Sequence, residues 1–196
     1  MARSTAQAAA LKREQILDAA IRRFARLSYE DASLRAIAAD VGVDVAHVHR
    51  SFGSKEMLLA EAVRATARAE RFHANSPDDL VDRLCAVLFA DQAMGDKDEV
   101  RPIDIIVHSL SSSDASSVLR ETILTDFIES VSKTTSPPST QRAALIAAFI
   151  LGVGVLRDVL QIKPLVDGKS GAVEDLTTQA LKVLAGGDLP ARGDEQ

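Results

Sequence analysis

Between residues 8 and 27 the apolar side chains Leu11, Ile16, Leu17, Ala20, Ile21, Phe24 and Leu27 return every three or four positions, with Arg13, Arg22, Arg23 and Arg26 on the other faces. That is the period of an amphipathic helix with one buried stripe. Met57, Leu58, Leu59, Ala62, Val63 and Ala67 repeat the spacing and predict a helix from residue 55 to about 72. Asn75-Ser76-Pro77 breaks it, with Ser76 as a cap and Pro77 at a first helical position. A helix over about 78–94 then carries Leu80, Val81, Leu84, Val87, Leu88 and Phe89, and Pro102 opens a shorter one with Ile103, Ile106, Val107 and Leu110. Asp114 is expected to cap the next, with Val118, Leu119, Ile123, Phe127, Ile128 and Val131, which the prolines within 134–139 end. The chain closes on a long helix over about 140–160 and an amphipathic one over about 172–184.

The stretch from Ser33 to Lys55 has a tighter organisation. Ser33 is a good N-cap, Leu34 and Ile37 give the first short helix an apolar side, and Ala38 is small enough for a crossing helix to approach. Gly42 sits where that helix must stop and turn back, and Asp44 can cap a second helix whose Val48 and Phe52 point into the core. This is the pattern of a helix-turn-helix, whose second helix enters the DNA major groove. On a helical wheel the side opposite Val48 presents Ala46 and Arg50, flanked by His47 and His49, with Val45 at the rim. Arg50 can pair with a guanine edge or a phosphate, and Val45 or Ala46 can meet a thymine methyl. Ser54 can cap the following helix, and Lys55 in its first turn suits a phosphate. The pattern predicts an all-α fold of about nine helices.

Composition agrees with that class. Hydrophobic residues make up 46% of the 196, enough for a core, and aromatics only 4%. Net charge is −5, unevenly spread: residues 1–75 hold 12 Lys and Arg against 9 Asp and Glu, while residues 76–196 hold 11 against 19. A basic N-terminal part on an acidic body suits one nucleic-acid face and one face for something else. Arg3, Lys12 and Arg13 are candidates for the DNA backbone or minor groove. Cys85 is the single cysteine and fits core packing in a reducing compartment. The most apolar run, residues 143–156, is short for a membrane span and flanked by Arg142 and Arg157, so the protein is expected to be soluble and cytoplasmic. No His/Cys/Asp cluster has metal-ligand spacing and no phosphate loop or nucleophile motif is evident, so no metal, cofactor or enzymatic activity is expected. The helix over 140–160 is apolar on nearly every face and needs covering on both sides, one of them expected to be a second subunit.

Residues 13–59 resemble the DNA-binding domain of the tetracycline-repressor (TetR) family of transcriptional regulators. The likeness rests on Ile16-Leu17, Ala19-Ala20, Phe24, Ser33, Ile37-Ala38, Gly42-Val43, Phe52 and the Phe-Gly-Ser-Lys-Glu run ending at Glu56. The resemblance implies DNA contacts from Ser33, Arg35, His47, His49, Arg50 and Lys55, with Ser33 and Lys55 on phosphates and Arg35 and the outward face of the recognition helix on bases; Val45 and Ala46 join them from the wheel. Asp44 stands where the family usually has Ser or Thr, and His49 where it usually has an aromatic residue. Imidazole titrates near pH 6.5, so DNA binding through His47 and His49 is expected to tighten at mildly acidic pH.

The resemblance divides the chain into a DNA-binding domain over 8–55 and a helical effector-binding and dimerisation domain over 56–186, with tails at 1–7 and 187–196. It implies a homodimer through the last two helices and a cavity for a small-molecule effector, for which Phe89, Met94, Ile106, His108, Phe127 and Phe149 are candidates. The function implied is a ligand-responsive repressor on a palindromic operator. The alternative is a helical small-molecule-binding or interaction protein whose DNA binding has weakened.

Overall fold

The structure, a computed structural model, describes residues 2–67, 73–89, 100–166 and 171–186, with side chains from residue 7 onward. Met94 and residues 187–196 lie outside them. The regular structure of the described residues is all helical, without a strand. The chain folds as two compact units: Met1–Arg68 with Lys97–Ile123, and Ala69–Asp96 with Leu124–Gln196.

In the first unit, α1 (Ala2–Phe24) packs on α2 (Leu34–Val41) and α4 (Lys55–Ala67), and α3 (Val45–Phe52) closes against all three. The amphipathic stripe of α1 puts Ile16, Ala19, Ala20 and Phe24 beneath Ile37, Ala38, Val48, Phe52, Leu58, Leu59 and Ala62, all buried. Two further helices, α6 (Pro102–Ser109) and α7 (Ser113–Thr122), lie on α4 and bury Ile105 and Leu119. Leu11, Leu27 and Met57, expected inside, are exposed.

The second unit is built on α5 (Pro77–Phe89), α9 (Thr140–Gly154) and α11 (Ala172–Ala185), whose Leu80, Leu84, Ile146 and Leu181 are its largest fully buried side chains. Helix α7 runs through a π-helical segment, Ile123–Ile128, into α8 (Glu129–Ser132). Helix α9 likewise ends in a π segment, Val155–Val159, where Leu160 N donates to Val155 O at 2.9 Å across five residues. Leu145, Leu156 and Leu176 stay exposed on these elements, so the apolar rod α9 is covered on one side only by the described chain.

Two boundaries and one short element differ from the periodicity. Helix α1 begins at Ala2 rather than near residue 8, because the alanine-rich segment from Ala2 to Ala10 has high helix propensity and nothing in it breaks the turn. Ser112, not Asp114, caps α7: its side chain accepts from Ala115 N, and Asp114 falls in the first turn. The four-residue α10 (Lys163–Val166) is too short to show a period.

Two left-handed glycines separate conformational from steric cost. A Cβ on Gly42 (φ 70°) meets nothing within 4 Å, whereas one on Gly186 (φ 107°) collides with the backbone of Ser136. Gly42→Ala should therefore lose only the left-handed penalty, ~1–2 kcal/mol. Gly186→Ala should lose clearly more in denaturant unfolding, and equal losses would contradict that reading.

Candidate nucleic-acid interface

The helix-turn-helix is fixed at each end by local chemistry. Ser33, in extended backbone, accepts from Ala36 N at 3.2 Å, which leaves its hydroxyl proton to donate outward. Helix α2 stops at Gly42, whose left-handed turn lets Val43 N donate back to Ala38 O at 3.0 Å. Asp44 then caps α3, its Oδ1 accepting from His47 N at 2.6 Å.

Helix α3 turns Val48 and Phe52 inward. Ala46, His49 and Arg50 are exposed, and Val45 and His47 are half-buried at the rim. His49 Nδ1 donates to Gly53 O at 2.9 Å, a carbonyl that can only accept, so its Nε2 remains for an outside partner. Arg50 Nη2 lies 3.8 Å from Asp44 Oδ1, and both side chains are largely exposed. Arg35 is exposed on α2. Seven of the eight sequence-predicted contacts thus sit on the two short helices or the N-cap of α2.

Lys55 opens α4, and its side chain has protein partners. Its Nζ donates to Tyr29 O and lies 4.1 Å from the centre of the Tyr29 ring, a cation–π contact, and burial lowers its pKa. The buried Tyr29 in turn stacks on Phe24 at 6.1 Å and donates its hydroxyl to Glu56 Oε1 at 2.9 Å. Burial first, then the Glu56 carboxylate, push the phenol pKa well above its ordinary range. Glu56 is held below the usual carboxylate range by Ser54, its own backbone N–H and Tyr29. Tyr29 had no place in the sequence reading; a lone tyrosine in a polar loop carries no periodic signal.

Other basic residues near the site also have protein partners. Arg23 grips Asp40 through two hydrogen bonds of 2.6 and 2.8 Å, tying α1 to α2 and lowering the Asp40 pKa. Arg13 pairs with Glu61 at 2.5 Å and covers the Phe52 ring at 4.4 Å. Lys12 donates to Val41 O at 3.4 Å, at the end of α2.

The effector candidates separate. Phe89, Phe127 and Phe149 are partly buried against the core of the second unit. The Arg157 guanidinium lies 5.0 Å from the Phe89 ring centre and donates to Leu88 O. Ile106 and His108 belong to the first unit: Ile106 is buried, while His108 is exposed, its Nδ1 donating to Asp104 O at 2.8 Å. Among the described residues no group of three or more His, Cys, Asp or Glu could hold a metal, and no helix is long and apolar enough to cross a membrane.

The carboxylates set the acid limb of the first unit. Glu56 and Asp40 both have lowered pKa values in the folded state, so the stability they add is present above their ordinary values of 4.5 and 3.8 and is lost as pH falls through the lowered ones. Glu56→Gln should flatten the fall in unfolding free energy below about pH 4.5; a curve parallel to that of the parent protein would exclude Glu56 as a contributor. Tyr29→Phe, which deletes one hydrogen bond to a charged group, should cost ~1–3 kcal/mol at neutral pH.

Comparison with known proteins agrees with this architecture. Residues 16–62 match the family described as bacterial regulatory proteins, tetR family. Residues 78–184 match the tetracyclin repressor-like C-terminal domain. The HTH-type transcriptional regulator BetI of Brucella canis is 28% identical over 117 residues, covering 56% of this chain and 59% of that regulator. The corresponding regulator of Brucella abortus is 27% identical over the same lengths. The alignment thus spans less than two thirds of these relatives. Among solved structures, a TetR-family regulator from Streptomyces coelicolor superposes with a TM-score of 0.62 at 21% identity, covering 89% of this chain and 94% of that one. A transcriptional-regulator-like protein from Saccharomonospora viridis, solved in complex with choline, superposes with a TM-score of 0.50 at 21% identity, covering 87% and 93%. With the helix-turn-helix and the C-terminal region both matched, the chain belongs to the TetR family of bacterial regulatory proteins.

Proposed function

We propose that the protein is a homodimeric, effector-responsive transcriptional regulator that reads a palindromic operator through α3 and, acting as a repressor, leaves it when a small molecule binds. The observation that carries this reading is the outer face of α3: an eight-residue helix, capped at its start, buries Val48 and Phe52 and offers Ala46, His49 and Arg50 to solvent. Burial of those two side chains explains the packing of α3, to which the exposed three add only the His49–Gly53 hydrogen bond and the open Arg50–Asp44 pair. Family membership supports DNA as their partner.

Dimerisation is supported by apolar surface on the last helices. Leu145 of α9 and Leu176 of α11 are 56% and 66% exposed, and Leu156 and Leu160 extend the apolar surface beyond α9. Large apolar side chains left together in water favour a partner face. A second copy supplies one by twofold symmetry and would set two recognition helices in successive major grooves, roughly 34–36 Å apart. An effector bound among Phe89, Phe127 and Phe149 would act by favouring another separation of the two reading helices. A coupling of ~1–3 kcal/mol would change operator affinity roughly 5–150-fold. Choline, bound by the Saccharomonospora viridis protein, is a reasonable first compound to titrate.

Selection of bound sequences from random duplex DNA, followed by salt titration of the winner, tests the function. One enriched palindrome whose affinity falls steeply with salt is expected, with Arg50→Ala weakening it about 10–100-fold. Retention of random and selected duplexes with equal affinity would sink the proposal. For the dimer, Leu145→Asp with Leu176→Asp should give a folded monomer by light scattering, and an undiminished dimer would move the interface elsewhere.

A further inference from the structure

A carboxylate on the leading edge of a DNA-reading helix repels phosphates, so its presence there needs a compensating use. Asp44 is such a group. Its side chain is 72% exposed, its Oδ1 is spent on His47 N at 2.6 Å, and Arg50 Nη2 lies 3.8 Å from that same oxygen. An ion pair this open to water adds little to stability. The cap does not need the charge either, since asparagine and serine cap as well as aspartate.

We propose, building on the DNA-reading function above, that Asp44 determines sequence specificity by accepting, through Oδ2, the exocyclic amino group of a cytosine in or next to the base pair whose guanine Arg50 reads. Three pieces of chemistry converge on cytosine. The cap hydrogen bond anchors Oδ1, which leaves Oδ2 without a hydrogen bond from the described residues on a side chain that is largely exposed. In the major groove, guanine presents only acceptors and thymine an acceptor and a methyl, and both reject a carboxylate. The adenine amino group lies between two acceptors, its own N7 and the thymine O4, whereas the cytosine amino group has an acceptor, the guanine O6, on one side only. Arg50 Nη2 lies 3.8 Å from Asp44 Oδ1, so the donor fork and the carboxylate stand side by side and can address one G·C pair or two stacked ones.

The test compares the parent protein with Asp44→Asn and Asp44→Ser. Both substitutions keep a capping oxygen, and thermal melting checks that both still fold. Each protein is put through selection from random duplexes, then anisotropy titration of the selected operator with each of the four bases at the assigned position. The parent protein should lose roughly tenfold or more in affinity when thymine replaces the cytosine. Asp44→Asn should shift the preference toward adenine, whose N6 and N7 match an amide. Asp44→Ser should make the position nearly indifferent and raise affinity for random duplex, since a negative charge has left the groove. An identical ranking of the four bases in all three proteins overturns the assignment while leaving the regulator intact. No enriched sequence for the parent protein overturns the DNA-reading function and this assignment with it.

Discussion

A helix of eight residues does not hold together by itself in water, because nucleation costs more than two turns return. The reading face of this protein rests on two such helices, α2 and α3. They exist because their ends are satisfied locally by Ser33, Gly42, Asp44 and Gly53, and because Ile37, Ala38, Val48 and Phe52 are buried against α1 and α4. Each cap contributes on the order of 1 kcal/mol and each large buried side chain, Ile37, Val48 and Phe52, about 1.5–3 kcal/mol. Neither class alone would order the exposed residues between them.

The basic excess of the N-terminal part serves the fold as much as any ligand. Arg13, Arg23, Lys12 and Lys55 each have a protein partner, and the Lys55–Tyr29–Glu56 cluster ties the α1–α2 loop to the first turn of α4. Arg35, Arg50 and His49 are left facing outward. On the proposed DNA-reading function, a face with so few cations is expected to anchor phosphates largely through hydroxyls and helix N-termini such as that capped by Ser33, where backbone N–H groups converge.

Much of this was legible before any coordinates. The caps Ser33 and Asp44, the glycine turn at 42 and the inward Val48 and Phe52 follow from local rules that need only neighbouring residues. What stayed hidden depends on tertiary geometry. The reach of Lys55 back to the Tyr29 carbonyl spans 26 residues, and no spacing rule connects them. The π segments at 123–128 and 155–159 escape a wheel drawn for four-residue hydrogen bonds. His108 lies on a helix whose Ile105, Ile106 and Ser109 are buried, so its exposure follows from which side of α6 meets its neighbours, and the sequence offered no decision on that side.

The most direct test of the DNA-reading face is a map of amide and side-chain NMR shift changes in the protein as a selected operator duplex is added. The expected pattern places the largest changes at Ser33, Arg35, Ala46, His49 and Arg50, with Ile16, Phe24 and Leu59 in the core nearly still. Changes centred away from α2 and α3, or none at saturating duplex, would contradict a reading helix at residues 45–52.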